Sequence, residues 1–290
     1  MKPFYLTFIL SMWLFTAPLS SADTLTKPAQ DYWSWHNPAE KTAPKHGALT
    51  NLLEAFWIKQ EGLAFRAIKY HGIDYLNQYL TYLQRIPVTR LNRDEQLAYW
   101  LNLHNAGVIH LLSTRHTPRS ISKYRGVPGS PGNWWREKIL IVEGHPLSLE
   151  EISQDILLRH WPNPRVIYGI YNSAKGGPEL DTQAFVGKTV YAQLDEAARR
   201  FINRSKHVRV DNRGQITLSS LYIWHKSMFN DDAAIIRHIK TYAEPSLANQ
   251  LTTEAKIEDH TFNWVIAKFD SRRTGFDNRF TGRTLPFTDF

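Results

Sequence analysis

Cysteine is absent from all 290 residues. That excludes thiol catalysis, Cys-ligated zinc, iron–sulfur clusters and any disulfide. Long apolar runs are scarce as well. Past the first fifteen residues no stretch approaches the ~20 apolar residues of a membrane-spanning helix. Internal repeats and nucleic-acid motifs are lacking. The basic excess, 35 Lys+Arg against 27 Asp+Glu, is spread along the chain. Its densest run, Arg199 to Arg209, falls on an expected helix end and the strand after it, where the helix dipole favours cations. No nucleic-acid partner is expected. His104, His110 and His116 recur every six residues and cannot share a helix face as a zinc pair would. No metal site and no cofactor are expected.

Residues 1–22 read as a signal peptide. Lys2 gives a short positive end, an apolar run follows from Phe4 to Phe15, and Ser20 and Ala22 are the small residues before a cut at Asp23. The run is too short to anchor, so the mature chain is expected to be periplasmic or secreted, with no transmembrane segment after cleavage. Residues 23–46 read as an N-terminal arm, 47–270 as a single domain and 271–290 as a polar, Arg-rich tail.

Apolar residues at three- and four-residue spacing predict helices from Gly47 through Trp57 and from Ile73 to Leu83. A third helix opens at Asn92, with Glu95 three residues on as in a capping box, and runs to about Ser113. Strands are expected at Lys138–Val142 and, before a Gly-rich turn, at Val166–Tyr171. A helix from Ser148, paired with Glu151, lies between them. A helix Val190–Asn203 then leads to a hairpin, Val208–Val210 and Gln215–Leu218, and two short helices around Tyr222–Phe229 and Ala233–Tyr242. The fold class is α+β: several helices packed around a small, mainly antiparallel sheet.

On the helix after Asn92, Leu97, Leu101, Val108, Leu111 and Leu112 share one face, and His104 and Asn105 fall within it. Asn102 sits at its edge, and Tyr99 and His110 lie opposite. Buried polar side chains need partners, since each unpaired group costs roughly 1–3 kcal/mol. Either they anchor a neighbouring segment or they line a cleft, where His104 could exchange a proton near neutral pH. Ser120-Ile-Ser-Lys123 matches S-x-x-K without its partner motifs. Gly187-Lys-Thr189 ends like a phosphate loop, but Thr182 stands at the first glycine position. Neither carries a function.

Arg165-Val-Ile-Tyr-Gly-Ile-Tyr-Asn-Ser-Ala-Lys-Gly-Gly-Pro-Glu-Leu180 passes from apolar residues into a glycine-rich turn, a common seat of active sites. Ser173 has no nucleophile elbow around it. Its hydroxyl is therefore expected to stand beyond the ~3.2 Å that His104 would need as general base.

Glu95-Gln-Leu-Ala-Tyr-Trp-Leu-Asn-Leu-His-Asn-Ala106 resembles the signature helix of the DUF547 family, whose core reads Trp-x-Asn-x-Tyr-Asn-Ala. Trp100, Asn102, Asn105 and Ala106 match, and His104 stands at the tyrosine. The resemblance continues in order through Trp134–Lys138, Leu147–Ile152, Gln193–Phe201, Leu218-Ser219, Trp224 and Phe229. In the turn, the family pattern Arg-x-His-x-x-x-Asn-Cys-Ala-Ser-x-x-Cys-Pro-x-Leu is kept at Arg165, Pro178 and Leu180, and Gly176 also remains recognisable. Ile167 replaces the histidine, and Asn172 and Gly177 replace the two cysteines. If the family is a thiol enzyme, this member is inert by that route; if the cysteines form a disulfide, their joint loss is the expected change.

These residues point to a non-catalytic binding domain for a small molecule, peptide or envelope component. Its contacts are expected from Trp100, Asn102, His104, Asn105, Asn172, Ser173 and Trp224. The alternatives are a hydrolase or transferase using Ser173 with His104, and a structural component of an envelope assembly.

Overall fold

A computed structural model describes residues 31–58, 61–115, 119–121, 134–252, 256–268 and 285. The expected signal peptide, the start of the expected arm, the Gly/Pro-rich stretch before residue 134 and, apart from Leu285, the polar C-terminal tail lie outside the described residues. The helices are α1 (Gly47–Phe56), α2 (Phe65–His71), α3 (Ile73–Gln84), α4 (Arg93–Thr114), α5 (Leu149–Glu151), α6 (Leu158–His160), α7 (Val190–Ile202), α8 (Leu221–Trp224), α9 (Asp232–Tyr242) and α10 (Pro245–Ala248). The strands are β1 (Trp57–Ile58), β2 (Gly62–Leu63), β3 (Leu140–Val142), β4 (His145–Leu147), β5 (Val208–Val210), β6 (Gln215–Ser219) and β7 (Lys256–Thr261).

The centre of the fold is α4. Asn92 caps it, its side chain accepting from the N–H groups of Asp94 (3.1 Å) and Glu95 (3.0 Å). Over its 22 residues α4 packs against α2, α3, α5, α7 and the π turn Ile152–Leu157 that joins α5 to α6. The helix is therefore buried all round, as a core helix is. Tyr99 is fully buried and His110 half-buried, so the exposed face expected opposite Leu97 does not exist. Only half of the expected capping box forms: Asn92 receives Glu95's N–H, while the Glu95 carboxyl turns to the Gly187 N–H. At Ser148 both halves of the box form.

The class is α+β, with the strands in three small sheets: β1–β2, β3–β4 and β5–β6–β7. All pairs are antiparallel except β6–β7. Two apolar clusters hold the chain together, a large one around α4 and a smaller one under β5, β6, α8 and α9. Val190 and Leu194 of α7 join the first cluster, and Phe201 and Ile202 join the second. The arm is docked at its described end. Trp33 is buried edge-on against Trp100 with ring centroids 5.1 Å apart, and His46 bonds the Tyr79 hydroxyl at 2.7 Å.

The expected strand Val166–Tyr171 is absent. Asn163 accepts from the Arg165 N–H, Pro164 supplies a preset φ, and Pro164–Tyr168 winds into a 3-10 helix. A short apolar run buried on all sides carries no period by which to tell the two apart. What does run extended beside the Gly-rich turn is residues 262–267, a strap across its outer side. The N–H groups of Lys175 (2.8 Å) and Gly176 (2.9 Å) donate to the carbonyls of Val265 and Asn263, and the Ala267 N–H donates to Ser173 O at 2.7 Å.

Candidate functional site

The turn has two faces with different chemistry. Its inner face meets α4. The Asn105 amide donates to Gly169 O (2.9 Å) and accepts from the Tyr171 N–H (3.0 Å), so one side chain splints the backbone entering the turn. Asn102 does the same to the segment leaving it, donating to Phe185 O (2.8 Å) and accepting from the Phe185 N–H (2.9 Å). His104 is buried, and its Nδ1 lies 3.1 Å from Asn105 Oδ1. The space left here, bordered by Asn102, Asn105 and Tyr171, is about 20 Å³, the size of one water molecule. Trp100 is sealed into the core against Trp33 and Tyr99.

Within the turn, Asn172 accepts from the Ala174 N–H at 3.0 Å, an Asx turn. Gly177 has no room for a side chain, because a Cβ there would overlap the Asn172 amide. Positions 172 and 177, where the family pattern has its cysteines, thus face each other; here a larger residue at one fills the space left by glycine at the other. Gly176 is demanded by the strap, since a Cβ would stand 2.5 Å from the Asn263 nitrogen. Ser173 is fully buried with φ +64°, the left-handed region that L-residues rarely adopt. Its hydroxyl neighbours that of Tyr171, yet neither is aligned for a hydrogen bond. Burial raises the Tyr171 pKa; the neighbouring serine opposes the rise, and Glu179 adds to it. Ser173 Oγ makes no hydrogen bond to His104.

The outer face opens on a cleft of about 360 Å³. Ala174, Lys175 and Gly176 form one side, Trp57 and Gly62 another, and Phe262 and Asn263 of the strap a third. Lys206 donates to Lys175 O (3.0 Å) and pairs with Glu179 at 3.1 Å, and Arg204 holds the same carboxylate at 2.6 Å. None of the residues expected to make contacts lines this cleft. Asn172 and Ser173 back it through hydrogen bonds accepted from Ala174 and Ala267, and the Trp224 ring lies 4.6 Å from that of Phe262. Sequence reading missed Trp57, Glu61, Glu179, Lys206, Phe262 and Asn263 because they come from four distant segments and match no motif. The aromatic pair Phe262 and Trp264, flanking a polar residue, was the one available signal. Among the described residues no group of three or more His, Asp or Glu could hold a metal ion.

Residues 88–202 match the model of a family described as a protein of unknown function, DUF547. Over that segment the chain is similar to the DUF547 domain. The match holds α4, the turn and all of α7, but the cleft's Trp57, Lys206 and Phe262 lie outside it. No curated protein and no solved structure matches the chain. Among the described residues no helix is long and apolar enough to cross a membrane.

Proposed function

We propose that this protein is an exported, non-catalytic binding domain that holds a small molecule, peptide or envelope component in the cleft outside the Gly-Gly-Pro turn. The division of the turn's two faces carries this reading. Inside, Asn102 and Asn105 spend their amides on backbone, and the space left fits one water. Outside, a concave site with aromatic walls and convergent polar groups has the character of a ligand pocket. Export rests on the leader-like pattern of residues 1–22.

One observation favours the alternative, a hydrolase or transferase. Ser173 holds a strained positive φ, as nucleophiles on tight turns do. Against it, the hydroxyl is buried, lies off the cleft and lacks a base bonded to it. Both readings can be tested on one sample. In protein labelled with 5-fluorotryptophan, fragments that bind should shift the Trp57 ¹⁹F signal and leave Trp100 unmoved. A serine-directed fluorophosphonate should leave Ser173 unmodified. An adduct lost in both Ser173→Ala and His104→Ala would replace the binding reading with the enzyme.

A further inference from the structure

The chemistry of the cleft narrows its occupant; this step rests on the binding reading above. Gly62, Ala174, Gly176 and Ala267 contribute small residues to the lining, and Gly62 and Gly176 admit the backbone of residues 262–267 that forms one wall. Trp57 and Phe262 supply aromatic walls. Phe262 continues outward into a ladder of rings, with Trp264 at 4.5 Å and Trp224 at 4.6 Å. Trp224 is 41% exposed and its neighbour Ile223 48%, so the apolar track leaves the cleft and reaches open surface.

The charges nearly balance. Among the lining groups two ammonium groups, Lys175 and Lys206, match two carboxylates, Glu61 and Glu179, and Arg204, paired with Glu179 from outside the lining, adds one positive charge. A cationic ligand would meet no field of opposite sign, and an anionic one only that single excess charge. An extended peptide would seek backbone partners, but the N–H groups of Lys175 and Gly176 are taken by the strap. What remains is a site rich in both donors and acceptors, set among aromatic faces and selecting no charge. That set suits an uncharged molecule with apolar C–H faces and many hydroxyl groups. The ladder running out of the cleft suits one longer than a single ring.

We propose that the cleft and the Phe262–Trp264–Trp224 ladder bind a neutral oligosaccharide. Isothermal titration with chitotetraose and cellotetraose tests this, with tetra-alanine and inorganic phosphate run in parallel. At least one sugar should bind, with a Kd that moves less than about twofold between low and high salt, since no charge is neutralised. Phe262→Ala should weaken it about tenfold, and Trp224→Ala, on an exposed ring that leaves the core intact, about fivefold. Phe262→Tyr should keep most of the affinity. Absence of binding by both sugars overturns the proposal, as does a sugar affinity indifferent to Phe262→Ala and Trp224→Ala. Binding of tetra-alanine or phosphate alone, lost in Phe262→Ala, overturns the saccharide but leaves the cleft as a binding site. If no probe and no fragment reaches Trp57, the binding reading falls with it.

Discussion

The inner and outer faces of the Gly-Gly-Pro turn use polar side chains for opposite ends. Inside, Asn102, Asn105 and His104 are buried and bonded, two of them to backbone of the segments that flank the turn. Outside, Lys206, Glu179 and Asn263 stand around a cleft. Asn102 and Asn105, which match the family pattern, are thus the ones that shape the turn, and the open site is assembled from residues around it. A polar group on a helix face that should be apolar is evidence of a buried partner before it is evidence of a ligand. The difference is energetic: leaving an inner amide unpaired costs its full desolvation, whereas water rescues an outer group.

The largest expected effect comes from acid, which attacks buried polar groups and spares exposed ones. His46 and His238 are pulled down to about 4 and His207 to about 3, all chiefly by burial. His207 is further lowered by Lys206 and Arg204, and His238 by Arg165. Each folded value lies below the ordinary 6.5, so the neutral form is the one the fold favours. The stability is fully present above pH 6.5 and is lost as pH falls toward the folded values. Each histidine contributes about 1.4 kcal/mol per pH unit in that window. Urea unfolding at pH 7, 6 and 5 should show a steep decline. His207→Phe, which keeps the stack on Phe201 (3.8 Å between centroids), should flatten it by about one histidine's share. An unchanged slope in that variant would mean that His207 is not held neutral.

A smaller effect is expected inside the turn. Gly177→Ala should cost about 2 kcal/mol, because its Cβ overlaps the Asn172 amide. Added to Asn172→Ala, which removes that amide, the same change should cost much less. Strict additivity of the two would break the claim that positions 172 and 177 share one space.

The smallest effect belongs to Ser173. Glycine there relieves a positive φ that costs about 1–2 kcal/mol in an L-residue, offset by the added freedom of the unfolded chain. Ser173→Gly should be neutral or stabilising by about 0.5 kcal/mol. A loss of more than about 1 kcal/mol would show that the hydroxyl has a structural partner.

Local signals made much of the frame legible. The caps at Asn92 and Ser148, the periods of α1, α3 and α7, and the β5–β6 hairpin all rest on residues within a few positions of each other. The 3-10 turn at Pro164–Tyr168 was lost because a run buried on every side has no polar beat to set its period. The missed strap pairs Asn263 and Val265 with the turn near Gly176, a separation of almost ninety residues that no window spans. The buried polar pair on α4 was visible as an anomaly. Which backbone it answered was not, because Gly169 and Phe185 offer their carbonyls through the fold and no side chain announces them.

The central claim, that α4's polar residues hold the turn while the cleft outside it stays free for a ligand, is tested most directly by one paired urea titration. Asn105→Leu strands Gly169 O and the Tyr171 N–H in the core and should cost about 3 kcal/mol. Lys206→Met, at the exposed ion pair with Glu179, should stay within about 0.5–1 kcal/mol. Equal losses in the two variants, or a larger loss at Lys206, would contradict the account.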